Sequence, residues 1–343
     1  MTRFAVIGLD HRHVYDLTAG LLEAGMTCAG YWPDTTDKRV LQGFCKRFPD
    51  LAAVLDRRRL IEDPAVDVIV TAAVPRNRAP LAIEAMRHGK DVLTDKPGVT
   101  GVAQLDAVVQ AVAETGRIFS ICFSERFQVP AVEAALELVR NGAIGAVVQT
   151  VNLAPHRLNP AIRPAWFFEP DAFGGILCDI GSHQIDQFLV FTGSEDTHVA
   201  SSTVASVGPL PCAGFHNFGE IVLRSERAMG YVRVDWFTPD GLPGWGDGRL
   251  IVVGTEGSIE VRKYLDLDGR AGSDHLFLTD RQGVRHLGCA DRPITFFRNF
   301  AADVAARGES AMAQEHVFAV CRLALEAQAR AKRLVLPGGR PLP

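Results

Sequence analysis

The sequence predicts an α/β doubly wound parallel sheet joined to a second, α+β domain with a large, mostly antiparallel sheet. Three observations carry this. The first third of the chain alternates short β-branched runs with longer segments of helical period. Those runs are apolar on both faces, as strands must be when crossover helices cover both sides of a parallel sheet. From His198 onward the texture changes to short strand-like runs separated by turn residues.

The elements follow in order. Strands are expected over 4–8, 26–32, 66–74, 91–94 and 118–122, with helices over 13–22, 37–48, 80–88 and 102–114 between them. This makes a first domain of residues 1–122, a usual domain size. Helices over 129–141 and 179–191 open a second domain, 123–343. Its strand-like runs are HVASSTVASV, FGEIVLRS, AMGYVRVDWF, RLIVVG and SIEVRK, with DGLPGWGDG at 240–248 as a turn. Helices over 294–307 and 314–332 close the chain, which shows no internal repeat.

Composition narrows the function classes. A chain of 343 residues, 47% hydrophobic and 22% charged, reads as globular and too long for one ordinary domain. Its 36 Lys and Arg against 40 Asp and Glu give a net charge of −4, with no basic tract for nucleic acid or a membrane surface. No apolar stretch approaches the roughly 20 residues of a bilayer span. The N-terminus lacks a secretory cleavage pattern, so a cytoplasmic protein is expected. Seven cysteines form no CxxC pair, so reduced thiols and no metal are expected.

The strand over 4–8 leads into a helix, where a dinucleotide fold places a glycine turn that holds a pyrophosphate. Here the turn reads Gly8-Leu9-Asp10-His11-Arg12-His13, and only the first glycine of G-x-G-x-x-G is kept. Asp10 sets a carboxylate where phosphates would sit, to be offset by His11, Arg12 or His13. Alternatively, Gly8 makes a plain tight turn and Asp10 caps the helix. At the end of the second strand Trp32 stands where an acid for the ribose hydroxyls is expected, with Asp34 two residues later. Trp32 either stacks on adenine or fills core, and Lys38 and Arg39 either meet a 2′-phosphate or face solvent.

The strand over 91–94 runs into Asp95-Lys96-Pro97-Gly98, so Lys96 stands at the carboxyl end of a sheet strand, where open α/β sheets bind ligands. Further on, Gly174-Gly175-Ile176-Leu177-Cys178-Asp179-Ile180-Gly181-Ser182-His183-Gln184-Ile185-Asp186 puts Asp179 and His183 four apart on one helix face. A histidine oriented by a carboxylate suits acid–base chemistry on a hydroxyl. Gly174 and Gly175 permit close approach of a ligand. Asp186 reads as a helix or interface hydrogen-bonding residue. Arg126 and His156 read as structural, and Trp166, Phe167 and Phe168 as core.

Taken in order, these segments resemble the glucose-fructose oxidoreductase, inositol dehydrogenase and MocA family. There a strand-end E-K-P and a G-G-x-x-x-D-x-G-x-H-x-x-D segment follow a Rossmann domain. The stretch AAVPRNRAPLAIEAMRHGKDVLTDKP, FSERF at 123–127 and GRLIVVGTEGSIEV extend the resemblance over most of the chain. It implies NAD or NADP as cofactor, held by Gly8, Asp10, His11, Arg12, His13, Trp32, Pro75 and Lys96. It also implies catalysis by Lys96, Asp179 and His183 on a secondary hydroxyl of a sugar, cyclitol or derivative. Asp95 in place of Glu, the lost glycines, Trp32, and Ala79 where relatives carry histidine are departures. A ligand-sensing protein without turnover and NAD-assisted glycoside cleavage are the alternative readings. A homodimer or homotetramer is expected from the second domain's exposed sheet face.

Overall fold

A computed structural model describes residues 2–208, 212, 214–242 and 244–336. Within the expected turn over 240–248, Pro243 lies outside the described residues. In chain order the first elements are β1 (Arg3–Leu9), α1 (Val14–Glu23), β2 (Thr27–Tyr31), α2 (Lys38–Arg47), α3 (Arg58–Ile61), β3 (Val68–Ala72), α4 (Pro75–Arg87), β4 (Asp91–Asp95), α5 (Val102–Thr115) and β5 (Phe119–Cys122). All five strands pair in parallel, in the order β2-β1-β3-β4-β5. β3, β4 and β5 are buried at every position, as the uninterrupted apolar runs require.

The remaining elements are α6 (Ser124–Phe127), α7 (Pro130–Arg140), β6 (Val147–Pro155), α8 (Pro170–Phe173), α9 (Ile176–Asp179), α10 (Gly181–Thr192), β7 (His198–Val207), β8 (Phe218–Arg224), β9 (Met229–Asp235), β10 (Arg249–Gly254), β11 (Ser258–Arg262), β12 (His275–Asp280), β13 (Gly283–Gly288), α11 (Phe296–Ala306), α12 (Gln314–Arg330) and β14 (Lys332–Leu336). The second sheet has nine strands in the order β13-β12-β11-β10-β6-β9-β8-β7-β14, antiparallel except for β6 with β9 and β14 with β7. Ala131, Ala135 and Leu136 of α7 join Leu250, Val252, Ile259 and Leu276 of the strands in one core. Two compact units result: residues 1–122, 164–174 and 295–322, and residues 123–163, 175–294 and 323–343. No helix among the described residues is long and apolar enough to cross a membrane, and all seven cysteines are free.

Several elements differ from the sequence expectation. β6, β12, β13 and β14 are strands that the apolar pattern did not show. α4 starts at Pro75, not at residue 80, and carries Pro80 inside it. Pro75 sits at the first helical position, where its missing N–H costs nothing. Pro80 cannot bond the Arg76 carbonyl one turn back. The Gln104 side chain on α5 donates to that carbonyl instead, at 2.9 Å. The expected single helix over 179–191 is two, α9 and α10, which meet at Ile180. Gly181 weakens the joint, and the His183 amide bonds the Ile180 carbonyl, a tightened 3₁₀-type step.

Helix α11 belongs to the first unit and meets α1 at a glycine. A Cβ added at Gly20 would lie 2.3 Å from Cδ2 of Phe297, so this helix pair packs ring against bare backbone. Gly20→Ala is expected to destabilise the protein by about 1–3 kcal/mol through overpacking. In urea unfolding this reads as a lower midpoint with an unchanged slope.

Candidate active site

The turn after β1 is built from tight backbone contacts. Gly8 has φ +91, and a Cβ there would lie 2.6 Å from Ala73 Cβ and 2.8 Å from Thr71 Oγ1, so only glycine lets β1 and β3 close here. The amides of Asp10 and His11 both donate to the Ala72 carbonyl, at 3.2 and 3.0 Å. Asp10 does not cap α1; His13 holds that position, with no side-chain cap bond. The Asp10 carboxylate instead accepts from the Thr36 amide (2.6 Å), the Thr36 and Thr35 hydroxyls (2.7 and 3.1 Å) and the Val74 amide (3.2 Å). It therefore ties three strand-end loops together.

At the end of β4 a second carboxylate gathers its own donors. Asp95 is bonded by His11 Nδ1 and His13 Nδ1, each at 2.8 Å, by Arg78 Nη2 at 3.0 Å and by the Lys96 amide at 2.8 Å. Arg78 is fully buried and also donates to the carbonyls of Ala73, Lys96 and Pro97. Burial alone would raise the Asp95 carboxyl; the charges of His13, Arg78 and His11 reverse this and hold it well below the usual carboxylate range. Burial, then the charge of His13, lowers His11 to about 3 despite the Asp95 carboxylate, so at neutral pH Arg78 is the permanent cation of the group. Lys96 follows directly, itself buried.

Beside Gly8 lies a cleft of about 410 Å³, lined by Asp10, Trp32, Asp34, Thr35, Arg57 and Asn77 among others. The Arg57 guanidinium stands 5.8 Å from the Trp32 ring centroid. An indole, a guanidinium and neighbouring hydroxyl, amide and carboxylate groups are donors and acceptors that suit a nucleoside, and Asp34 is an acid on the same wall as Trp32. Arg39 is turned instead to Asp37, at 2.9 Å, and Asp37 caps α2. The residues present thus fit the nucleoside half of a dinucleotide. Further along the turn come Arg12 and His13, and His13 Nδ1 is committed to Asp95 at 2.8 Å. Pro75 opens α4 directly after Val74, whose amide binds Asp10.

The second unit carries the other candidates. His183, on α10, is buried with its ring 6.1 Å from that of Phe123, edge to face. Asp179 closes α9 and is also buried. Asp186 forms a bidentate pair with Arg126, both bonds 2.8 Å, so these two residues are structural. The close approach that Gly175 permits is taken by the chain itself. A Cβ there would lie 2.4 Å from the Gln328 side-chain amide, which also holds the Leu177 amide.

Sequence reasoning missed Glu125 and Lys263, which pair at 2.7 Å with 13% and 23% of their side chains exposed. His156 Nε2 lies 4.0 Å from the same carboxylate. Burial would raise Glu125; Lys263, His156 and His183 outweigh it and bring it down to about 2. Burial likewise opposes the Lys263 charge, yet Glu125 leaves that ammonium raised. The pair is 138 residues apart in sequence, so no spacing signal could announce it.

Two family models match: "GFO/IDH/MocA C-terminal domain" over residues 132–260 and "Oxidoreductase family, NAD-binding Rossmann fold" over residues 34–123. A solved structure of an oxidoreductase-class protein from Erwinia carotovora atroseptica is 42% identical, with TM-score 0.93 over 97% of this chain and 100% of that one. The chain belongs to the GFO/IDH/MocA oxidoreductase family. Among family members, scyllo-inositol 2-dehydrogenase (NAD(+)) of Bacillus subtilis is 26% identical over 76% of this chain and 73% of its own length. Levoglucosan dehydrogenase of Pseudarthrobacter phenanthrenivorans is 28% identical over 55% of this chain, and the match spans 49% of that relative. A levoglucosan dehydrogenase solved with NADH and levoglucosan shares the fold at 19% identity, TM-score 0.78, over 96% of this chain and 97% of that one.

Two predictions follow from these carboxylates. Removing Asp10 strands buried donors from two loops, so Asp10→Gly is expected to lose about 2–4 kcal/mol of stability and to loosen the cleft rather than ease cofactor entry. Thermal melting and calorimetric cofactor titration check both, and tighter binding in a fully stable variant would reverse the assignment. Glu125, ordinarily near 4.5 and here about 2, lends stability that is present above pH 4.5 and is lost as the pH falls through 2, roughly 3 kcal/mol in all. Glu125→Gln alone leaves Lys263 unpaired and should destabilise by about 3 kcal/mol at pH 7. The double variant Glu125→Gln/Lys263→Met should recover most of that and lack the acid-dependent loss, measured by denaturant unfolding from pH 7 to 2.

Proposed function

We propose that the protein is an NAD(P)-dependent oxidoreductase that oxidises a secondary hydroxyl of a sugar, cyclitol or derivative, or reduces the matching ketone. Residues 1–122 bind the dinucleotide; residues 123–343 bind substrate and support assembly. The observation that carries this reading is the position of Lys96 in the first unit. It stands at the carboxyl end of β4, one residue from the carboxylate that the β1 turn grips through His11 and His13. Ligands bind at this end of an open parallel sheet. The relatives named for inositol and levoglucosan supply the substrate class.

When bound, the nicotinamide supplies the hydride acceptor. Lys96 stabilises the alkoxide that develops as hydride leaves the carbinol carbon. His183 takes the hydroxyl proton, and Asp179 orients histidine and substrate. In the nucleoside cleft Gly8, Trp32 and Asp34 meet the adenosine, while Arg12 and His13 face the phosphates and Pro75 bounds the loop after β3. The cytoplasm is the expected compartment. A homodimer or homotetramer is supported by apolar side chains left on sheet strands, with Met229, Val284 and Leu287 44%, 70% and 40% exposed.

A ligand-sensing role without turnover is favoured by one observation: the Asp10 and His11 amides are spent on Ala72. The test separates the readings. Cofactor binding is measured first, then a panel of polyols, sugars and glycosides is followed at the NADH absorbance with product analysis for glycoside cleavage. Lys96→Ala and His183→Ala should each lower turnover about 100-fold or more, with far smaller changes in cofactor affinity. Oxidation needs an unprotonated imidazole, so wild-type turnover rises with pH and His183→Ala should lose that limb. A folded His183→Ala protein with wild-type turnover and pH dependence would overturn the catalytic assignment.

A further inference from the structure

We propose that His11, His13 and Asp95 bind a divalent transition-metal ion of the zinc or iron(II) class, a site that goes beyond the dehydrogenase reading and does not depend on it. One potential ligand atom from each residue lies within 4.8 Å of the other two. The two imidazole Nδ1 atoms each stand 2.8 Å from opposite oxygens of the one carboxylate. Metal–ligand bonds of about 2.0–2.1 Å at right angles place neighbouring ligands about 2.8–3.0 Å apart. Each nitrogen–oxygen spacing is therefore already of the length that two neighbouring ligands of one ion show. Two histidines and one carboxylate are the ligand set of mononuclear sites that keep open positions for water or substrate oxygen.

The surroundings fix these ligands. His11 and His13 sit two residues apart on the turn between β1 and α1, with ring centroids 4.2 Å apart and planes at 69°, so both nitrogens converge on Asp95. Behind the carboxylate, Arg78 and the Lys96 amide hold both oxygens, at 3.0 and 2.8 Å, and Arg78 is itself anchored to the Ala73 and Pro97 carbonyls. Outer contacts of this kind orient metal ligands. The His13 side chain is 36% exposed, which leaves an approach from solvent. Next to His11, at 6.3 Å between ring centroids, stands Trp166. Its buried indole N–H has no hydrogen-bond partner among the described residues.

Two forces oppose the ion. Arg78 and Lys96 are cations beside it, and the imidazole–carboxylate hydrogen bonds compete with it. The competing bonds require a proton on each Nδ1, so ion binding shifts each ring to the other tautomer and releases any second proton that a ring carries.

The experiment uses the full-length protein, stripped with chelator and dialysed, titrated with Co²⁺ for its visible d–d absorption and with Zn²⁺ in competition with a chromophoric chelator. One equivalent per chain is expected, with no thiolate charge-transfer band, and Zn²⁺ should displace Co²⁺. His13→Ala and His11→Ala should each weaken binding about 100-fold while thermal melts confirm folding, and the wild-type titration stands whether or not a variant folds. Absence of saturable uptake by the wild type, a thiolate band, or unchanged affinity in a folded His13→Ala protein would each overturn the site.

Discussion

The Asp95 carboxylate is the point on which the first unit's ligand-binding end depends. It accepts four hydrogen bonds, from His11 and His13 after β1, Arg78 on α4 and the amide of Lys96. Removing a carboxylate from water is costly unless every lone pair finds a donor and a cation stands near. The four donors together meet the first condition and Arg78 the second; through the carbonyls of Ala73 and Pro97 Arg78 also locks the loops after β3 and β4. The Lys96 backbone is thus carried on a strand end with little freedom to move. For the role proposed for Lys96, a pre-set strand end lessens the reorganisation needed as charge develops.

Much of this was legible in the chain. The parallel sheet was readable because fully buried strands are continuous apolar runs, and Asp95-Lys96-Pro97 announced itself at the end of one. The second sheet was readable only in part. In β6 the positions that face the core are Thr150, Asn152 and Ala154, whereas Val151 and Leu153 are only half-buried. The apolar residues of that strand mark the wrong face, so its alternation gave no signal. β14 is short, charged and pairs at the sheet edge with β7, where the neighbouring strand rather than its own pattern decides its state.

The site was legible residue by residue but not as a network. Asp10 and His13 were readable as replacements in a glycine turn, with His11 between them, while their partners Thr36, Val74 and Asp95 lie 26 to 84 residues away. Arg78 lies on α4 with no charge or glycine pattern around it that marks a buried cation. Contacts made across strand ends leave no periodicity, because each loop contributes one or two residues and topology alone brings them together.

Asp10 and Asp95 solve one problem in two ways. The loops after parallel strands expose amides and hydroxyls that need an acceptor, and in a glycine-rich turn a bound phosphate provides it. Here the protein provides two acceptors of its own, so the loops are ordered without a ligand. The donors bonded to Asp10 are neutral, from Thr35, Thr36 and Val74, whereas those bonded to Asp95 include a guanidinium. The field at the two strand ends therefore differs. Near Asp95 the carboxylate is offset by a fixed cation, and the end of β4 can accept developing negative charge. Near Asp10 no hydrogen bond brings such an offset, and the adjoining wall of the cleft favours hydroxyl donors over a second anion. In the proposed function, a dinucleotide at this cleft gains most from its ribose hydroxyls and base, because the donors on that wall are neutral.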